Sequence, residues 1–262
     1  MKSFNLNFYT LLVSILSLTV ISCSDDDSVS PTPPGDDTFE IIAQSENHNT
    51  LETLLQDTGL DEVLNNGVYT VFAPTDAAFS NVDLSGLSDA QKTNILLNHV
   101  LVKEFFNQPP DGSTQSTLST GYVKTPATEK ITGEENNLDL YINVGDNVVL
   151  NGVSTVVTPD LNANNGVVHV VDEVIPMPNI TTFATADPTF DNLEAALTRD
   201  DLQTDFVSAL STPNGTDPAP FTVFAPTNDA FGSLLELLGA NSLADVDAAT
   251  LTATLNNHVV PG

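Results

Sequence analysis

The sequence predicts an α+β fold made of two copies of one unit, the first complete and the second incomplete. Three observations predict it. A ten-residue block occurs twice within the 262 residues, which indicates a repeated domain. Apolar residues follow the helical period early in the first copy and alternate in its second half, which predicts helices followed by strands. An apolar segment typical of an export signal opens the chain and is excluded from the fold.

The internal repeat defines the two copies. TVFAPTDAAF at residues 70–79 recurs as TVFAPTNDAF at residues 222–231, with eight of ten positions identical. Two further pairs of blocks keep the same order, TLETLL with NLEAAL and LLNHV with LNNHV. We therefore predict one complete domain at residues 38–178 and a second domain, incomplete at its C-terminus, at residues 179–262.

The repeated blocks have a definite local chemistry. Leu51, Leu54 and Leu55 have helical spacing, with Gly59 near the helix end. The following apolar run is rich in strand-forming residues and stops at Pro74. Thr75 then suits the start of a short helical turn. Because the copies are equivalent, we expect Val71-Phe72 and Val223-Phe224 to lie in similar environments.

The rest of the first copy changes from helix to strand. Ser88 to Gln91 forms a capping-box pattern and predicts a helix through Val100. Beyond Gly121 the apolar residues alternate, and Asn151-Gly152 is a strong hairpin signal. These features predict an antiparallel, β-rich half behind a helical half.

The N-terminal segment predicts export and a lipid anchor. Residues 1–22 contain Lys2, an apolar stretch too short to span a bilayer and a small residue before Cys23. Val20 to Cys23 resembles a bacterial lipobox, and the acidic residues behind it resemble a surface-export tag. The resemblance implies that Cys23 is acylated and inserted in the outer membrane, with the protein exposed at the cell surface. Residues 23–37, acidic and Pro-rich, predict a flexible tether.

Composition excludes several function classes. The chain has 6 Lys+Arg against 35 Asp+Glu, a formal net charge of −29. Such a polyanion repels phosphates, so we expect no nucleic-acid partner. A single cysteine allows neither an intramolecular disulfide nor a cysteine-zinc site. We expect no cofactor and no metal.

Three blocks carry a resemblance to a known family. TVFAPTDAAF and NGVVHVVDEVIP resemble the two signature blocks of fasciclin-type domains, and LLNHV resembles the histidine segment between them. The resemblance implies a wedge-shaped β-sandwich with helices packed along one edge, and a role in adhesion. It marks these signature residues as structural or ligand-contacting: Thr70, Phe72, Pro74, Thr75, His99, Asn165, Gly166, His169, Asp172, Thr222, Phe224, Pro226, Thr227 and His258.

One departure from the family pattern limits the choice of partner. Integrin-binding members carry Tyr before the central His, where this chain has Asn98 and Asn257, and no Arg-Gly-Asp triplet is present. Integrin binding is therefore not carried over. We expect a surface protein or a polysaccharide as ligand, together with the lipid bilayer reached through acylated Cys23.

Each histidine is either a ligand contact or a structural residue. His99 lies on an apolar helix face, so we favour a buried side chain that bonds a nearby loop around Thr75-Asp76. His169 alternates with valines on a strand and is also interpreted as packing. His48 stands alone in a segment expected to be a loop.

No sequence motif indicates catalysis. Residues 160–166 resemble a calcium loop, but its bidentate carboxylate is missing, and Asn-rich clusters more often form side-chain-to-backbone turns. Nucleophile, phosphate-loop and zinc-helix motifs are not found in the sequence. We predict a surface adhesion module that is not an enzyme. A structural envelope protein without a soluble ligand, or a polysaccharide hydrolase, stays open as an alternative.

Overall fold

A computed structural model describes residues 35–102, 118–131 and 133–262. The predicted signal segment, Cys23 and most of the tether lie outside these residues. In the first copy the helices are α1 (Thr38–Ala43), α2 (Asn49–Thr58), α3 (Leu60–Asn65), α4 (Asp76–Phe79) and α5 (Asp89–Leu97). The strands are β1 (Tyr69–Pro74), β2 (Val100–Val102), β3 (Gly121–Ile131), β4 (Glu134–Val144), β5 (Val148–Leu150), β6 (Ser154–Ala163) and β7 (Gly166–Val171).

The helix boundaries follow the capping residues. Helix α2 ends at Gly59, whose φ of 70° is left-handed. Thr75 accepts a hydrogen bond from the Ala78 N–H at the start of α4, and Ser88 and Gln91 form the expected capping box of α5. The predicted extension of α5 to Val100 is wrong. The helix ends at residue 97, because residues 100–102 pair with β1 instead.

The strands form one seven-stranded sheet in the order β2-β1-β7-β6-β5-β4-β3. Most neighbours are antiparallel, and the Asn151-Gly152 turn has positive φ at both residues, as its hairpin signal predicts. The pair β1 and β7 is parallel, however, with Tyr69 opposite Gly166 and Phe72 opposite His169. This pairing places the two signature blocks side by side at the centre of the sheet.

The sheet bends at β6 and closes over its own core as a sandwich. Register shifts interrupt the pairing of β6 with β7 between Val156 and Leu161, and such bulges bend a strand. Apolar side chains from both halves share one buried cluster: Phe72, Leu101, Leu140, Ile142, Leu150, Val171 and Ile175. The edge strands β2 and β3 also lie against each other.

A helical layer covers the other face of β1 and β7. Alternate residues of these strands, Val71, Ala73 and Val168, face the helices. The helices contribute buried leucines spaced as the sequence predicts, including Leu51 and Leu55 of α2. The architecture is therefore α+β, a sandwich with helices packed along one side, as the sequence resemblance implies.

The second copy repeats the helical half and a short sheet. It contains the helices α6 (Ile180–Ala186), α7 (Asp191–Leu197), α8 (Phe206–Leu210), α9 (Asn228–Leu238) and α10 (Ala248–Asn256), with short 3-10 helices at Pro188–Phe190 and Leu243–Asp245. Strands β8 (Phe221–Val223) and β9 (Val259–Pro261) pair antiparallel, as β1 and β2 do. Leu193, Phe206, Phe231 and Leu251 are buried in a separate core.

The expectation of similar environments for the two Val-Phe pairs is wrong. Phe72 is fully buried, whereas Phe224 is 63% exposed. Val71 is 2% exposed, while Val223 is only partly buried. The physical reason is that β7 and the bent sheet cover Phe72, whereas β8 pairs only with β9 among the residues that the structure describes.

None of the helices in the described ranges is both long and apolar enough to cross a bilayer.

Candidate functional site

His99 fastens helix α5 to the segment that follows β7. Its Nδ1 atom lies 2.8 Å from the Ile95 carbonyl, and the backbone N–H of Ile175 donates to Nε2 at 2.8 Å. Because Nε2 accepts a hydrogen bond, the ring is neutral and carries its proton on Nδ1. Burial lowers the pKa of His99 to about 4, partly offset by the bond to Ile95. The loop it contacts is therefore not Thr75-Asp76, as expected, but the chain around residue 175.

Asn98 extends the same connection. It is fully buried, and its side-chain N–H groups donate to the carbonyls of Ile175 and Pro176 at 3.5 and 3.1 Å. The Thr125 hydroxyl donates to its Oδ1 atom at 3.4 Å. Thus the residue that departs from the integrin-binding pattern points into the protein, and its amide ties α5, β3 and the end of the second signature together.

The second signature block packs against the first. An added Cβ on Gly166 would lie 1.9 Å from the Tyr69 carbonyl oxygen, so only glycine fits this φ of 151°. His169 stacks on Phe72 with ring centroids 5.6 Å apart, and its Nδ1 atom accepts from the Asp160 N–H at 3.1 Å. Burial lowers the pKa of His169, which indicates a neutral, structural ring.

The remaining signature residues of the first copy are buried in β1 or form hydrogen bonds with backbone groups. Asp172 accepts from the Thr155 N–H at 2.6 Å, while Thr70 and Pro74 are buried in β1. Asn165 accepts from the Thr38 N–H at 2.8 Å and donates to the Leu64 carbonyl at 2.7 Å. Thr70 and Pro74 therefore lie inside the fold, while the partly buried Asn165 and the exposed Asp172 use their side chains to bond the backbone.

The acidic turn at residues 160–166 also bonds backbone. Asn162 donates to the Asp160 carbonyl, and Asn164 donates to the Gly35 carbonyl. Asp160 itself has a left-handed φ of 59°. Within the described residues, no group of three or more His, Cys, Asp or Glu side chains is placed to hold a metal.

In the second copy the corresponding residues are more open. His258 keeps the helix bond, with Nδ1 2.8 Å from the Thr254 carbonyl, but its side chain is only partly buried. Thr222, Phe224 and Thr227 are exposed, and Pro226 is partly buried. Pro226 and His258 line an apolar pocket of about 180 Å³.

An inter-copy contact fixes the two units together. The Tyr122 hydroxyl on β3 donates to the buried Asp187 carboxylate at 2.8 Å, and the Tyr122 ring meets Phe183 edge-on at 5.4 Å. Burial and this hydrogen bond raise the pKa of Tyr122. For Asp187, burial acts to raise the pKa, but hydrogen bonds from Thr189 and Tyr122 outweigh it, so the pKa lies below its ordinary value. Sequence reasoning missed this contact, because no motif links residues 65 positions apart.

A groove of about 530 Å³ lies between the copies, at residues other than those of this contact. Helix α5 and strand β3 supply one wall, and the segment after α8 supplies the other. Its floor is apolar, with Ile95, Met177 and Phe221 among the lining residues. Glu129 and Asn214 add polar groups that make no side-chain hydrogen bond in the described part of the chain. Such a mixture of apolar surface and a few polar groups is typical of ligand sites.

The fold and these positions define a class of protein, a β-sandwich domain with a helical layer whose central histidine bonds the backbone, followed by a second copy of the helical half. The chain belongs to the fasciclin family, since the fasciclin domain matches residues 46–178 and 180–262. Adhesion and binding are the general functions that this membership supports, and the family is generally not enzymatic.

Curated relatives share about a third of their aligned residues with this chain. Human periostin is 30% identical over 183 residues, covering 66% of this chain and 19% of periostin. Protein sll1483 of Synechocystis is 30% identical over 147 residues, 53% of this chain and 72% of that protein. Immunogenic protein MPB70 of Mycobacterium bovis is 32% identical over 120 residues, 45% of this chain and 55% of MPB70. The chain thus spans about a fifth of periostin.

Among solved structures, a FAS1 domain pair from the insect cell adhesion molecule Fasciclin I is similar to this chain. The TM-score is 0.48 and the sequence identity 18%, with 81% of this chain and 72% of the other covered.

Proposed function

We propose that this protein is a surface-anchored adhesion module that binds a polysaccharide or a surface protein through the groove between its two copies. The groove is the observation that carries the proposal, because it combines an apolar floor with polar lining groups such as Glu129 and Asn214 in a volume of about 530 Å³. A groove at a domain interface is a preferred place for a ligand. The Tyr122–Asp187 hydrogen bond joins the two copies at residues that do not line the groove, and a joined pair of copies limits the ordering cost of binding.

The charge of the protein narrows the ligand. A formal net charge of −29 disfavours polyanionic ligands, and Glu129 places a carboxylate in the groove itself. Prolines and Phe221 offer flat apolar surface, while Asn214 and Thr212 offer hydrogen-bonding groups. These features support a neutral or basic ligand, such as an uncharged glycan or a cationic surface protein.

Anchoring is the second part of the proposal. The lipobox-like residues 20–23 support acylation of Cys23 and placement of the protein at the outer surface of the cell. Metabolic labelling with an alkyne fatty acid tests it. The full chain should be labelled and recovered with membranes, and Cys23→Ser should abolish the label. An unlabelled Cys23 on a secreted protein would contradict the anchor and leave the groove to be tested separately.

Binding arrays test the ligand part. The full chain is applied to glycan and surface-protein arrays beside Glu129→Arg and Asn214→Trp, which change the groove, and Glu62→Arg, which changes an exposed residue on α3. We expect the two groove variants to lose binding by tenfold or more, about 1.4 kcal/mol, while Glu62→Arg binds like the parent.

Two outcomes would overturn the proposal. Binding that survives both groove variants would move the ligand site elsewhere. An array without any ligand, combined with cross-linking only to neighbouring envelope proteins, would favour the structural spacer instead.

A further inference from the structure

An asparagine that precedes glycine can react with its own backbone. The glycine nitrogen attacks the side-chain carbonyl carbon of the asparagine, and glycine has no side chain to hinder the approach. The chain contains four Asn-Gly pairs, which begin at Asn66, Asn151, Asn165 and Asn214. All four pairs lie within the described residues, so the structure shows how firmly each asparagine side chain is held.

Three of the four asparagine side chains are held by hydrogen bonds. Asn151 is 1% exposed, and its Oδ1 atom accepts from the Tyr141 N–H at 2.9 Å. Asn165 has a hydrogen bond at each end of its amide. Asn66 lies at the end of α3, and its Nδ2 atom donates to the Glu62 carbonyl at 2.6 Å. Each of these amides has to leave a bonded position before it can react.

The fourth side chain, that of Asn214, is not held in this way. It lies in a turn between α8 and β8 and is only partly buried. Within the part of the chain that the structure describes, its side chain makes no hydrogen bond, and neither does the Gly215 N–H. Gly215 has a left-handed φ of 84°, and a Cβ added to it would have no heavy atom within 4 Å. Thus neither reacting group has to break a hydrogen bond to the described residues, and the space beside Gly215 is open.

We propose that Asn214 is a site of spontaneous deamidation. The Gly215 nitrogen bonds to the side-chain carbonyl carbon of Asn214, and the amide group leaves as ammonia with the proton that the Gly215 nitrogen loses. One water molecule then opens the resulting five-membered succinimide. Attack of water on the side-chain carbonyl gives aspartate. Attack on the main-chain carbonyl gives isoaspartate, in which the chain runs through the former side chain.

The modification changes the charge of the groove between the copies, because Asn214 is one of its lining residues. Both products replace a neutral amide by a carboxylate, which is charged near pH 7. Glu129 is the acidic residue already in the lining, so deamidation adds a second negative charge there. This favours a cationic ligand over a neutral one. The reaction does not depend on ligand binding, so either proposal can fail without the other.

Peptide mapping of the full chain by mass spectrometry tests the proposal. The folded protein is incubated at mildly alkaline pH, and loss of the amide is followed at each of the four asparagines. We expect Asn214 to convert about fivefold or more faster than Asn66, the effect of one net hydrogen bond on a rate. Asn151 and Asn165 should convert more slowly still, because their surroundings have to unfold locally first. Incubation in water that contains heavy oxygen should place one labelled oxygen on residue 214.

Two controls separate the effect of structure from that of sequence. In guanidinium-unfolded chain all four asparagines should convert at similar rates, because each precedes glycine. Asn214→Gln keeps the amide but does not favour a five-membered ring, so residue 214 should stop reacting while Asn66 reacts as in the parent.

Three results would overturn the proposal. The first is an Asn214 that keeps its amide in the folded chain. The second is an Asn66 that converts as fast as Asn214 before unfolding. The third is a product without isoaspartate, since direct hydrolysis of the amide gives aspartate alone.

Discussion

Replacing His99 by alanine tests whether this histidine is a structural fastener. The change removes the acceptor of the Ile175 N–H, whose residue is fully buried, and an unpaired buried donor costs about 1–3 kcal/mol. The lost ring leaves a cavity that adds about 1–2 kcal/mol. We therefore expect the free energy of unfolding to fall by about 2–5 kcal/mol, measured by urea denaturation of the full chain.

The second copy supplies the matched control. His258→Ala removes a partly buried ring whose described hydrogen bond is to the Thr254 carbonyl. Loss of that bond should cost only about 1 kcal/mol. Equal losses for the two variants, or a loss below 1 kcal/mol for His99→Ala, would refute the fastening role.

The lowered pKa of His99 also predicts how the free energy of unfolding changes with pH. The pKa is about 4 in the folded protein and 6.5 for an unperturbed histidine, so between these values the unfolded chain binds a proton that the folded protein does not. The stabilisation of the folded protein by neutral His99 is complete above pH 6.5. It is lost as the pH falls towards 4, and the loss amounts to about 3 kcal/mol. Carboxylates titrate there too, so the measurement is the difference in slope between the parent and His99→Phe. Identical slopes would contradict the assignment.

Three further changes test the fold. Phe72→Ala should lower the free energy of unfolding by about 3–5 kcal/mol, whereas Phe224→Ala, at a 63% exposed residue, should change it by less than about 1 kcal/mol; equal effects in urea denaturation would contradict the difference in packing. Gly166→Ala should cost more than about 2 kcal/mol, because its Cβ would collide with the Tyr69 carbonyl; near-parental thermal stability would refute this. Tyr122→Phe should increase hydrogen exchange at α6 by about fivefold, through loss of the bond to Asp187, and unchanged exchange would show that the bond does not hold the interface.

Local features were predictable from the sequence because short-range chemistry determines them. The caps at Thr75 and Ser88, the left-handed Gly59 and the Asn151-Gly152 turn all depend on residues within about four positions. The end of α5 was misplaced for the opposite reason. Val100 extends the apolar helical pattern, but it gains more from pairing with β1, whose residues lie about thirty positions away.

Non-local features could not be predicted from short patterns. The parallel pairing of β1 with β7 joins blocks almost a hundred residues apart, and no spacing rule distinguishes it from an antiparallel pair. Arg199 lies in none of the repeated motifs, yet it donates to the carbonyls of Leu243 and Val246 and pairs with Asp201. His48 does lie in the loop between α1 and α2, as expected, but its burial was not predictable because it depends on the packing of that loop against distant strands.

Comparison of the two copies shows which structural features the shared motif determines and which depend on the rest of the chain. In both, the residue after Val71 or Val223 donates its backbone N–H to the carbonyl of the central histidine at 2.9 Å, and the histidine ring lies 2.8 Å from the carbonyl four residues before it. These bonds join the repeated blocks directly, so a shared sequence reproduces them. Burial of the phenylalanine depends on distant strands and therefore differs. It follows that the motif reproduces these local backbone bonds, whereas the exposure of its side chains depends on the strands that surround each copy.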